Sequence, residues 1–408
     1  MWWKRAVAML CIGAIGWVSS VNASDIPSLI YDTETGESWE ELTTFVPSNE
    51  ETVVPIDANV LELGGKSSVL MELSTGEVLV ANNEHEPLPI ASVTKIMTLL
   101  LVMEAIDDGQ LKLTDQAVCS KTAASMGGSQ IWLEEGETMS VHDLLKAAAV
   151  VSANDACAVL AETVSGSIEG FVARMNERAE ELGMKDTHFL DCSGLNDEAV
   201  SSAYDVALMS RELMKHDKIT EYTTIWMDTL RDGASQLVNT NKLVRFYDGA
   251  TGLKTGTTST AGHCLSATAK RGDIAFVAVI LGCKTTDERF GGARKMLDYG
   301  FANYTLYRPQ IELHDTIKVL HGVEPRVSLQ ADVPKAILLK KGEEKNVAYT
   351  VELDKSVTAP VENRQTVGTV TYRLNDETIA EYAVRASESV PKMTVWCALE
   401  RLAIALLG

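Results

Sequence analysis

Apolar and polar positions alternate in two runs within SSVLMELSTGEVLVANN, residues 67 to 83, separated by Ser74-Thr75-Gly76-Glu77. This period of two around a polar break predicts an antiparallel β-hairpin with one face covered. At Ser92 the pattern changes. ASVTKIMTLLLVMEAIDDG becomes densely apolar after its first few residues, which predicts a buried helix from Ser92 to Asp108, with Ser92 in its N-terminal position and Gly109 at its end. Further helical periods run through VHDLLKAAAVVSANDACAVLAETV, GFVARMNERAEELGM and TDERFGGARKMLDYGFANY. Between the last two lie the strand-like runs GLKTGTTST, GHCLSATAK and IAFVAVILG, the final pair joined by the turn signal Arg271-Gly272-Asp273. Strands framing a helical block predict an α+β fold, an antiparallel sheet with helices on its faces.

Beyond Tyr307 the chain reads as short alternating segments such as TIKVLHG, KAILLKKG, VAYTVEL, GTVTYRL and IAEYAVRA, without a helical period. They predict a separate small all-β domain. The terminus VPKMTVWCALERLAIALLG has Pro391 at the first helical position and Val395, Leu399, Leu402 and Leu406 along one stripe. With Glu400 and Arg401 inside it, this amphipathic helix suits an interface better than a bilayer crossing; the alternative is packing on its own domain. The expected organisation is a signal peptide (1–23), an acidic leader (24–55), the α+β domain (56–307), the β domain (308–388) and the terminal helix (389–408).

With 408 residues, 46% of them hydrophobic, the chain can bury more than one core. Its formal net charge of −21 opposes a polyanion, so nucleic acid is not an expected partner. Lys4 and Arg5 precede an apolar run that ends in Val21-Asn22-Ala23, the form of an export signal cut before Ser24. Cleavage would remove Cys11 and leave six cysteines; with no CxxC and no HExxH spacing, no metal or other cofactor is expected, and buried thiols are the simplest reading.

Three motifs carry the chemistry: Ser92-Val93-Thr94-Lys95, Ser152-Ala153-Asn154 and Lys254-Thr255-Gly256. Three residues apart on a helix start, Ser92 and Lys95 share a face, and a lysine whose ammonium is disfavoured by burial and nearby cations can take a serine proton. Lys254 is a candidate for such a cation. A plain helix cap and a solvated lysine are the structural alternatives. Ser152 and Asn154 interrupt an otherwise apolar stretch, where buried polar groups need partners; a hydrogen-bonded interhelix turn would also account for them. Lys254 offers a point charge, Thr255 a hydroxyl and Gly256 room for a substrate backbone, against the alternative of an exposed strand end.

These residues resemble the serine penicillin-recognising enzymes, and within them the low-molecular-mass penicillin-binding proteins that are D-alanyl-D-alanine carboxypeptidases. The flanking blocks PLPIASVTKIMT, GETMSVHDLLKAAAVVSANDACAVLAE, MNERAEELGMKDTHFLDCSGLN, TGLKTGTTSTAGHCLSATAKR and APVENRQTVGTVTYRL extend the resemblance over residues 56 to 390. It implies a β-lactamase/transpeptidase-like domain with an added all-helical lobe, followed by the small β domain and a membrane-anchoring tail. It further implies that Ser92 is the acylated nucleophile, Lys95 its general base, Ser152 a proton relay and Asn154 an orienting group. Lys254 and Thr255 would bind the substrate carboxylate, Gly256 would let the substrate lie close against the strand, and the backbone N–H of Thr257 would join that of Ser92 in an oxyanion hole. The implied partners are peptidoglycan stem peptides ending in D-Ala-D-Ala, β-lactam antibiotics and the outer face of the cytoplasmic membrane.

Two positions depart from the family pattern: Val200 stands where a histidine is usual, and Thr257 replaces a histidine or tyrosine. Arg289 resembles a family arginine that assists carboxylate binding, with a surface ion pair as the equal alternative. Among rival functions, a β-lactamase lacks support because no ExxLN-like segment follows Ser152. A transpeptidase would share the acyl-enzyme and differ only in its acceptor. A non-catalytic wall-binding module would not need all three motifs.

Overall fold

The computed structural model describes residues 55–407 apart from 312, 314, 315 and 335; the signal-peptide reading and nearly all of the acidic leader lie outside the described residues. The first sheet contains β1 (Ile56–Asp57), β2 (Ser67–Glu72), β3 (Val78–Asn82), β4 (Ala250–Thr258), β5 (Gly262–Arg271) and β6 (Ile274–Cys283), in the order β1-β3-β2-β6-β5-β4. All its pairs are antiparallel except the two-residue contact of β1 with β3.

Period-two alternation sorts the side chains of this sheet between two cores. Val69, Met71, Val277, Val279 and Leu281 face one, while Leu70, Val80, Phe276, Ala278 and Ile280 face the other. All six residues of β2 are buried, which corrects the expectation of a single covered face for the hairpin. Helices on both sides explain it: α1 (Lys95–Asp107) and α5 (Ala203–Leu213) pack on the first face, and α6 (Thr286–Asn303) on the second. Between α1 and α5 run α2 (Val141–Val150), α3 (Asn154–Ser165) and α4 (Ile168–Glu181), which share the first core.

The helix expected from Ser92 begins instead at Lys95. Residues Ala91–Thr94 form a separate 3₁₀ turn, with Ala91 in the left-handed region at φ 49°. From Lys95 to Met103 every residue of α1 is buried, as an all-round apolar helix must be.

The second sheet is built from β8 (Thr316–Leu320), β9 (Arg326–Ala331), β11 (Val347–Leu353), β12 (Val357–Thr358), β13 (Thr366–Leu374) and β14 (Glu377–Ala386), in the order β11-β13-β14-β9-β8-β12. A separate two-stranded ladder pairs β7 (Tyr304–Tyr307) with β10 (Ile337–Lys340), and Leu338 enters the core under α6. The last helix, α7, spans Val395–Leu407, so Pro391 is not at its start. Val390 and Lys392 instead bridge to Val361 and Gly322, and Thr394 Oγ1 caps the helix by accepting from Cys397 N at 3.2 Å. The stripe residues Val395, Leu399, Leu402 and Leu406 are all exposed rather than packed on the β domain. Among the described residues no single helix is long and apolar enough to cross a membrane.

Candidate active site

The three motifs converge on Ser92. Strand β4 carries Lys254, Thr255 and Gly256 along the 3₁₀ turn so closely that a Cβ on Gly256 would stand 2.5 Å from Ile90 O and 3.0 Å from Ser92 N. Only glycine permits this approach. From the helical side, Ser152 occupies the link between α2 and α3 at φ 66°, and Asn154 opens α3, its backbone N–H donating to Ser129 O at 2.7 Å.

Lys95 is fully buried, and its Nζ lies 3.0 Å from Ser92 Oγ, 2.6 Å from Asn154 Oδ1 and 2.6 Å from Ser193 O. Burial pushes its pKa down from the ordinary lysine value. A neutral amine has two N–H donors and one lone pair. Asn154 Oδ1 and Ser193 O only accept, so each takes an N–H of the Lys95 amine. Asn154 is held in that orientation because its Nδ2 donates to Gly127 O at 2.7 Å.

Lys254 is also buried, donating to Thr255 O at 3.0 Å, and its pKa is pushed well below the ordinary value by burial and then by the charge of Lys95. Each cation thereby disfavours the other. Thr255 Oγ1 donates to Thr240 Oγ1 at 2.7 Å. The Ser152 hydroxyl is buried with no hydrogen-bond partner among the described residues.

Arg289 is buried in the first turns of α6, which removes the surface ion pair as its explanation. One guanidinium nitrogen donates to Gly256 O (3.2 Å), Thr257 Oγ1 (3.1 Å) and Cys264 O (3.3 Å), while Nε has no partner. No carboxylate pairs with it among the described residues. His263 stands 3.3 Å from Thr257 Oγ1 and is half-buried. The cysteines resolve too: Cys119, Cys157, Cys192, Cys264 and Cys283 are free and buried, and Cys397 is free and half-buried.

The motif pattern did not reveal the turn Asp191–Asn196, which contributes the Ser193 carbonyl. A backbone acceptor leaves no mark in side-chain spacing; the only available signal was the polar and glycine-containing string DCSGLN.

A serine hydroxyl 3.0 Å from the amine of a buried lysine, with a second buried lysine on β4 and an unpartnered serine hydroxyl before α3, is the arrangement of a serine–lysine acyltransfer site. A family model described as D-alanyl-D-alanine carboxypeptidase matches residues 54–285, and one described as penicillin-binding protein 5, C-terminal domain, matches residues 301–392. The chain is 43% identical over 359 residues to the D-alanyl-D-alanine carboxypeptidase DacF of Bacillus subtilis, covering 86% of this chain and 92% of DacF. Penicillin binding protein 5 from Haemophilus influenzae superposes with a TM-score of 0.74 at 30% identity, over 81% of this chain and 98% of that one. Penicillin-binding protein D2 from Listeria monocytogenes, solved in its ampicillin-bound form, superposes with a TM-score of 0.54 at 33% identity, over 59% of this chain and 98% of that one. The chain belongs to the D-alanyl-D-alanine carboxypeptidase family and is a serine-type carboxypeptidase with the transpeptidase-like fold.

Proposed function

We propose that Ser92 Oγ attacks the carbonyl of the penultimate D-alanine of a peptidoglycan stem peptide while Lys95 takes its proton. The observation that carries this reading is the 3.0 Å contact between a fully buried amine and the serine hydroxyl, with Asn154 Oδ1 and Ser193 O accepting from the same amine. The tetrahedral oxyanion is stabilised by the backbone N–H groups of Ser92 and Thr257. Ser152, whose hydroxyl lacks a protein partner, relays a proton to the departing D-alanine amine, and Asn154 orients Lys95 and the substrate amide.

Lys254 and Thr255 receive the terminal carboxylate, an anion that the buried Lys254 lacks among the described residues. Gly256 keeps the strand close to the nucleophile, and Arg289 braces the Thr257 end. Water then hydrolyses the acyl-enzyme. The same apparatus takes β-lactams, whose carboxylate and strained amide imitate the substrate.

The catalytic part occupies residues 56–307 and the β domain 308–388. The chain works outside the cytoplasm after export by its first 23 residues, tethered to the outer face of the cytoplasmic membrane by α7. Support for the tether comes from the exposed Trp396, Leu399, Leu402, Ile404 and Leu406 on that helix.

Incubation with a pentapeptide ending in D-Ala-D-Ala should release one alanine by mass. Ser92→Ala should lose both this activity and labelling by fluorescent penicillin. Lys95→Arg should be inactive although it keeps the charge, because a guanidinium does not give up its proton. Equal labelling of Ser92→Ala, or full activity of Lys95→Arg, would eliminate the respective role.

A further inference from the structure

We propose that Asp191 is a positioning residue for acylation: its carboxylate clasps the turn that aims the Ser193 carbonyl at Lys95 and seats Gly194 against the backbone of the nucleophile. The inference rests on Lys95 being the base. Asp191 Oδ1 accepts from Ser193 N (2.6 Å), Ser193 Oγ (3.1 Å) and Gly194 N, and Oδ2 accepts from Asn196 N (2.6 Å). An aspartate that binds backbone donors two, three and five residues ahead fixes the path of the chain between them.

That path has two consequences. Ser193 O is placed 2.6 Å from Lys95 Nζ, where it occupies one of the two amine donors and so helps turn the lone pair toward Ser92. Gly194, at φ 79°, presses so close that a Cβ there would stand 1.9 Å from Ala91 O and 3.0 Å from Ser92 N. A further bond from Thr98 Oγ1 to Cys192 O, 2.6 Å, ties the turn to α1. Asp191 therefore bears on both ends of the proton transfer while hydrogen-bonding to neither.

The charged and titratable groups facing Lys95 are Cys157 and Asp155 from α3, Cys192 and Asp191 from the turn, and Lys254 from β4. Burial pushes Cys157 up to about 11 and Cys192 upward as well, so neither thiol is charged at neutral pH. Asp155 is occupied by the backbone N–H groups of Ile131, Leu133 and Ala156. The charge of Asp191 favours the ammonium form of Lys95, in opposition to the larger effect of burial. Removing that charge must lower the Lys95 pKa further, so the neutral amine persists to lower pH.

The test is the rate of acylation of the full chain by a fluorescent penicillin across pH, for the wild type, Asp191→Asn and Asp191→Ser. Both replacements keep a side-chain oxygen that can accept from the turn, and a melting curve for each checks the fold. The plateau rate should fall about tenfold as the lone pair loses its aim. The acid limb should move to lower pH by about half a unit, a shift that a merely structural residue would not produce. A limb left at the wild-type position in both variants, while Ser92 remains essential, would overturn the role of Asp191 alone. Labelling that survives Ser92→Ala would instead overturn the assignment of the nucleophile, and this role with it.

Discussion

In the second sheet, Val327, Val367, Val370 and Val384 pack a core in which, among the described residues, the Tyr372 hydroxyl is the one buried side-chain polar atom without a hydrogen-bond partner. At the edge of the first sheet, Lys254 and Arg289 are buried without a carboxylate, next to the fully buried Lys95 and the unpartnered hydroxyl of Ser152. Both regions are sheets whose side chains alternate faithfully between faces, so β-structure alone does not account for the difference. Where the core of the second sheet holds no buried charged side chain among the described residues, the edge of the first buries two, Lys254 and Arg289, without a carboxylate. Such groups can persist where a ligand completes them, and the substrate carboxylate proposed above would be that partner.

The comparison is tested most severely at Lys254. Replacing it by Met keeps the volume and the apolar stem but removes the group proposed to meet the substrate carboxylate and to oppose protonation of Lys95. Acylation by penicillin should fall about a thousandfold. Stability should move the other way. The pKa of Lys254 is depressed in the folded state, so between that value and its ordinary 10.5 the unfolded chain binds a proton that the folded chain does not. Stability of the wild type therefore rises with pH across this window, and Lys254→Met should melt at a higher temperature with a flatter dependence on pH. Unchanged melting at neutral pH, measured by circular dichroism, would mean that the buried amine imposes no cost.

Gly256→Ala tests the same edge through shape rather than charge. The added methyl would meet Ile90 O at 2.5 Å and Ala91 Cβ at 3.1 Å, contacts that only a movement of backbone can relieve. Because β4 and the 3₁₀ turn would have to part, the Ser92 hydroxyl would leave its alignment with both Lys95 and the Thr257 N–H. The acylation rate should drop about a hundredfold with the fold intact. A rate within a factor of two of the wild type would show that this close packing is incidental.

The contrast between the two regions also separates what the sequence made legible from what it hid. Alternation in IAFVAVILG and the Arg271-Gly272-Asp273 turn specified the β5–β6 hairpin, because a period of two maps directly onto two faces. The α1 helix was legible from the length of its continuous apolar run rather than from a period. Its start was not: Ala91 at φ 49° detaches Ser92 from the helix, and no propensity favours an alanine there. Tertiary packing against Gly194 and Gly256 imposes the conformation. Side chains of the three motifs were readable by type and order, whereas the Ser193 carbonyl and the Asp191 clasp depend on a turn whose geometry only the folded chain defines. The misplaced start of α7 has a plainer cause, since Pro391 fits a first helical turn and a β-bridge segment equally well, and Thr394 decides between them.

The smallest expected effect lies in the second sheet, at Tyr372→Phe. Its ring lies 5.9 Å from that of Tyr349 across the β11–β13 pair and 6.2 Å from that of Tyr382, and burial pushes its pKa up to about 12. Phenylalanine keeps these ring contacts and removes only the hydroxyl, whose burial without a partner is unfavourable. The variant should be as stable as the wild type or more stable by about 1 kcal/mol in urea unfolding, with acylation unchanged. Here an orphaned polar atom is a packing residue's imperfection, whereas at Ser152 the same description belongs to a group proposed to act on substrate. A loss of stability in Tyr372→Phe would place a hidden partner at that hydroxyl and remove the contrast between the two sheets.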